Sequence, residues 1–87
     1  MIAVYFNGSN SKVFINNTTS AISTSDIAST GTNQLAGITL GANRSGANGF
    51  AGFISEVAIF NRVIKSTERK EIFNYFSKKY KIDITGV

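Results

Sequence analysis

Phe50-Ala51-Gly52-Phe53-Ile54-Ser55-Glu56-Val57-Ala58-Ile59-Phe60-Asn61-Arg62 is the stretch whose reading decides the fold. Side chains alternate across a strand, so Phe53, Ser55, Val57 and Ile59 share one face and Ile54, Glu56, Ala58 and Phe60 the other. Both faces are largely apolar, which predicts a central strand covered on both sides. A polar hinge, Val63 to Thr67, follows. Ile72, Phe73, Phe76 and Tyr80 then recur at i, i+1, i+4 and i+8, one face of a helix. Ser66 or Thr67 suits its N-cap and Glu68 its first turn. The helix is expected over 67–79. It needs a sheet to pack on, because an isolated helix of this length is marginal in water.

Upstream, Met1–Phe6 reads as a strand, and Asn7-Gly8 is a hairpin-turn signal. Lys12-Val13-Phe14-Ile15 is the return strand. Residues 16–37 are rich in Ser, Thr, Asn and Gly and read as a long loop, with one short strand near Ala21–Ser23. Such a loop suits a binding surface or a subunit contact; a solvated connector fits as well. Ile38-Thr39-Leu40-Gly41 reads as a strand, and Ala42–Gly49 as a Gly/Asn turn region.

The chain has 87 residues, with no cysteine, histidine or proline, and 43% of it is hydrophobic. One domain fits this length, without disulfides and with a thin stability margin. A Cys/His metal site is excluded, as are histidine- and cysteine-based nucleophile systems. No stretch reaches the roughly 20 apolar residues of a transmembrane helix, and Met1–Phe6 lacks the basic region of a signal peptide. The net charge of +4 lies wholly within residues 62–87, which hold seven bases and three acids. An anionic partner is one reading. A solvated helix face, with lysines near the C-terminus where the dipole favours them, is the bland one. Tyr75 and Tyr80 lie near these bases, but their helical spacing suits core residues better than stacking platforms for nucleic acid, and the solvated face is the preferred reading.

These elements, in this order, resemble the C-terminal half of a laminin-G-like (concanavalin A-like lectin/glucanase) domain. Tyr5-Phe6-Asn7-Gly8 matches its hairpin, Ile38-Thr39-Leu40-Gly41 a later strand, and Phe50–Val57 its Phe-x-Gly-x-Ile-x-Glu-Val strand. Asn61-Arg62, Glu68-Arg69 and Lys79-Tyr80 match the helical ending found in versions on phage and bacterial surface proteins. Ser55 stands where the family usually carries Asp. The resemblance implies an all-β fold: an antiparallel β-sandwich of the concanavalin A-like jelly-roll type, partial, with one C-terminal α-helix. It implies a single domain over 1–87 that lacks the N-terminal strands. It also implies display or binding rather than catalysis, in a virion or at the cell surface.

Enzymes on that fold use a close carboxylate pair. Of the five acids here, Asp26 and Glu56 stand apart, and Glu68, Glu71 and Asp83 lie on or beside the helix. The chain therefore reads as no enzyme. Glu56 is expected to be a structural acid bonded to backbone groups or to an arginine such as Arg62, since a buried charge needs partners. Binding calcium or a sugar hydroxyl is its functional alternative, though calcium needs several oxygen ligands, and no cofactor is expected. Asn43, Arg44, Asn48 and Phe50 are the candidate glycan-binding residues, offering amides and an aromatic platform; turn chemistry accounts for the same asparagines. The expected function is a non-catalytic structural or adhesion module. Its partners would be copies of itself or neighbouring structural proteins, with a glycan at the loops. The alternatives are a free-standing carbohydrate-binding lectin module and the non-catalytic end of a glycoside hydrolase.

Overall fold

A computed structural model describes residues 1–22 and 37–87. Its elements are β1 (Ile2–Tyr5), β2 (Lys12–Ile15) and α1 (Ser66–Tyr80). β1 and β2 form an antiparallel hairpin in which Ile2 faces Ile15, Ala3 faces Phe14, Val4 faces Val13 and Tyr5 faces Lys12. The loop between them is held by Ser11, which is 1% exposed. Its hydroxyl accepts from the Asn7 N–H at 2.8 Å and donates to the Gly8 carbonyl at 2.7 Å. Gly8 alone takes the positive φ that the Asn7-Gly8 pair suggested.

One face of the hairpin meets α1. Phe14, Phe73 and Ile84 form the buried core, with Met1, Ala3, Tyr5 and Ile82 packed against it. Arg69 is also buried, at 7% exposure. It lies one turn before Phe73, on the stripe that continues through Phe76 to Tyr80. Its guanidinium sits 4.1 Å from the Phe14 ring centroid. Nε and Nη2 donate to the Thr18 carbonyl at 3.0 and 2.9 Å, and Nη1 donates to the Tyr5 hydroxyl at 3.3 Å. The charge is thus buried on neutral acceptors and an aromatic face, which between them satisfy the guanidinium.

The N-cap of the helix is Lys65, one residue before the earlier of the expected caps. Glu68 reaches back to accept the Lys65 N–H at 2.7 Å, which is half of a capping box. Glu68 also takes a bidentate pair from Arg62 at 2.8 and 2.7 Å. At the other end Lys81 is left-handed (φ 53°), and the Ile82 N–H donates to the Ser77 carbonyl at 3.1 Å. The chain then returns to the hairpin. Thr18 N–H donates to Thr85 O, and Thr85 N–H to Asn16 O, both at 2.9 Å. Gly86 has φ 86°, and a β-carbon there would drive into the Thr18 side chain.

The expected β-sandwich is not what the chain forms. The described residues hold a two-stranded sheet and one helix. Ile38–Gly41 and Phe50–Phe60, both read as strands, form no ladder among those residues: a single backbone bond joins their ends, from the Phe50 N–H to the Gly41 carbonyl at 2.6 Å. Their composition favours strands, but a strand exists only through a partner that accepts and donates its backbone hydrogen bonds. The covered central position expected for 50–60 is also wrong: every residue of that stretch is exposed, and Phe53 is 98% exposed. The long loop and the short strand near Ala21–Ser23 fall mostly outside the described residues. Ile22 can be placed, and its N–H donates to the Val13 carbonyl at 2.9 Å.

Arg69→Ala strands the Thr18 carbonyl and the Tyr5 hydroxyl and removes the packing on Phe14. We expect a loss of about 2–4 kcal/mol in urea unfolding followed by helical circular dichroism. Arg69→Lys keeps the charge but not the fork, and is expected to lose about half as much.

Candidate functional site

The sequence singled out two places, and the structure separates them. The first is the turn region. Asn43 Oδ1 accepts from the Ser45 N–H at 3.1 Å, the Ser45 hydroxyl at 2.8 Å and the Ala47 N–H at 2.9 Å. Backbone bonds from Asn43 N–H to Ala47 O and from Gly46 N–H to Asn43 O, both 2.9 Å, close the loop. Asn43 folds this loop through an Asx turn. Asn48 takes φ 54°, a conformation that asparagine tolerates better than most residues. Asn43, Asn48 and Phe50 line one shallow, open depression of about 490 Å³ together with Gly41, Ala42 and Ile54. Arg44 does not line it. Phe50 is largely exposed and available as a platform. The Asn43 oxygen is already engaged three times, which leaves its amide N–H groups to meet a ligand.

The second place is Glu56. Arg62, the partner the sequence suggested, is paired with Glu68 instead. Glu56 is gripped by three side chains of α1. Tyr80 donates its hydroxyl to Oε2 at 2.6 Å, Lys79 Nζ donates to the same oxygen at 2.8 Å, and the Tyr75 hydroxyl reaches Oε1 at 3.3 Å. Lys79 also donates to the Tyr75 hydroxyl at 2.8 Å and lies 5.2 and 5.4 Å from the Tyr75 and Tyr80 ring centroids. Spacings of i, i+4 and i+5 bring the three donors to one side of the helix. Sequence reasoning saw Tyr75 and Tyr80 as core or stacking residues and missed this role. The available signal was a lone acid on an apolar segment followed by Tyr-x-x-x-Lys-Tyr on a helix.

The electrostatics follow from the contacts. Lys79, then Tyr80, hold the Glu56 carboxyl below its ordinary value. Glu56 in turn raises Lys79 and Tyr80. Arg62 and the Lys65 N–H bring Glu68 down to about 2. An ammonium and two phenols are the wrong company for calcium, which needs converging oxygens with open lone pairs. Among the described residues no three acids gather at one point, and no helix is long and apolar enough to cross a membrane.

No family model matches the chain, no curated protein matches it, and no solved structure does.

Among the described residues, Glu56 makes the one side-chain hydrogen-bond link from residues 37–61 to the rest of the chain. A carboxyl depressed in the folded state contributes above its ordinary value of 4.5 and stops contributing as pH falls through the folded value. As pH falls below 4.5 and through the lowered folded value, the segment 53–60 should therefore come away from α1. Nuclear magnetic resonance checks this: Glu56→Gln at pH 7 should shift the amide signals of 53–60 as acid does in the native chain. An ordinary Glu56 titration, with those signals unmoved in Glu56→Gln, would rule the tether out.

Proposed function

We propose that this chain is a non-catalytic structural or adhesion module of a virion or cell-surface assembly, and that it works by laying its bare apolar surface onto neighbouring protein. One observation carries this reading. Phe50, Phe53, Ile54, Val57, Ile59 and Phe60 are exposed in one continuous stretch. Monomers rarely leave contiguous apolar patches beyond a few hundred Å² uncovered, and larger ones mark interaction sites. The hairpin adds to this, since Ile2, Val4 and Ile15 are exposed on the face turned away from α1.

The absence of catalysis belongs to the proposal, supported by the dispersal of the described acids and by the lack of histidine and cysteine. The ordered motifs shared with laminin-G-like domains support it at the level of sequence. A second reading, a lectin-like module, draws on the depression where Asn43, Asn48 and Phe50 meet. There Phe50 would stack on a sugar ring while the asparagine amides donate to its hydroxyls.

Light scattering coupled to size exclusion, with circular dichroism on the same peak, separates the two. The structural reading expects the chain at micromolar concentration to associate, or to lose helical signal on dilution. A folded monomer that binds a glycan saturably, and loses that binding in Phe50→Ala, would replace it with the lectin reading.

A further inference from the structure

We infer that Phe53–Phe60 is a strand donated to a second copy of this chain, where it pairs along the outer edge of β1. The inference rests on the proposed assembly role and specifies its partner.

The donor is eight residues long. From Phe53 to Phe60 the chain is neither helix, turn nor bend. Among the described residues its backbone groups make no backbone hydrogen bonds. Its side chains are those that strands favour. Glu56 binds α1, so the face that alternates with it carries Phe53, Val57 and Ile59 away from the helix.

The acceptor is identified by register. Asn16 N–H donates to Met1 O at 3.1 Å, so odd-numbered residues of β1 exchange bonds with β2. By alternation, the N–H and C=O groups of Ile2 and Val4 point to the opposite, open edge. The outer edge of β2 is already in use, since Val13 O accepts from Ile22. Ile2 and Val4 are 67% and 46% exposed. A two-stranded hairpin is marginal by itself, and a third strand is the usual remedy.

Among the described residues donor and acceptor do not pair within one molecule: β1 has β2 as its one strand partner, and 53–60 is held by Lys79, Tyr75 and Tyr80 of α1 instead. Reciprocal exchange uses both donors and both edges and closes as a two-fold dimer. Apolar surface is available for the exchange as well. Phe6, Phe50, Phe53 and Phe60 present about 550 Å² at roughly 200 Å² per ring. With partly exposed Ile2, Val4, Ile15, Ile54, Val57 and Ile59, the exposed apolar surface, an upper limit on what pairing can bury, exceeds the roughly 800 Å² per partner of a standard interface.

Two variants of the full chain test this by sedimentation across a concentration series, with hydrogen exchange of the 53–60 amides alongside. Adjacent prolines, Val57→Pro with Ala58→Pro in one variant, remove a ladder donor whichever edge of the strand faces β1, and Phe53→Glu places a charge on the outward face. The native chain should dimerise, with amides of 53–60 becoming protected as it does. Each variant should weaken the dimer at least tenfold while keeping the helical circular dichroism of α1. Association that survives both variants, or leaves 53–60 unprotected, overturns strand donation and leaves the assembly reading standing. A folded monomer at every concentration overturns both.

Discussion

The structure depends on where the Arg69 guanidinium is placed. A cation taken out of water must find its lost hydration in the protein. Here a carbonyl at the end of the hairpin, a phenol on β1 and a ring on β2 supply it. Those three groups belong to three stretches of chain, so satisfying one side chain fixes the helix against the hairpin in position and rotation. With Phe14, Phe73 and Ile84 as the buried apolar core, shape complementarity alone would specify little. The directional bonds of arginine supply the specificity that a small core lacks. Phe73 packs one turn further along α1 and completes the contact.

Beyond this junction the molecule is unevenly finished. One face of the hairpin is covered, and the other presents apolar residues to water. The segment from Gly37 to Asn61 turns on its own Asx loop, touches α1 through Glu56, and among the described residues joins no sheet. Its hold on α1 is polar and exposed, made of a carboxylate, an ammonium and two phenols. Exposed ion pairs contribute little and are screened by salt. The strong junction is therefore the one that builds the core, and the weak one holds the apolar segment that has no cover. That inequality gives the surface its functional reading.

Much of this was legible in the sequence. Asn7-Gly8 between two apolar runs announced the hairpin, and the spacing of Ile72, Phe73, Phe76 and Tyr80 announced the helix and its face. Arg69 was hidden because basic residues usually mark solvated surface, although it stands one turn before Phe73 on the same stripe. Glu56 stood out as a lone acid on an apolar run; its partners, Lys79, Tyr80 and Tyr75 rather than backbone groups or Arg62, were not legible, because they are set by which part of α1 lies beside it. The β-sandwich reading failed for a related reason. Alternation in Phe50–Phe60 reports strand propensity, and propensity is local. Pairing depends on another stretch of chain, and no described stretch supplies it. In the turn region the pattern of asparagines was plain, but only the bonds to Ser45 and Ala47 show how much of Asn43 the turn itself consumes.

The bond from the Thr18 hydroxyl to the Gly86 carbonyl spans 68 residues of sequence, and the Arg69 bonds to Thr18 O span 51. Hairpin and helix can each form early, since both are local. Their docking must wait until both partners have been made, because the residues that seal it lie far apart in sequence. Closing loops of that length has an entropic cost before any contact offsets it, and topologies of this kind fold slowly for their size. A nascent chain would thus carry the inner face of its hairpin, Phe14 included, uncovered until α1 and the residues after it have been made, an interval in which a chaperone has access to that face.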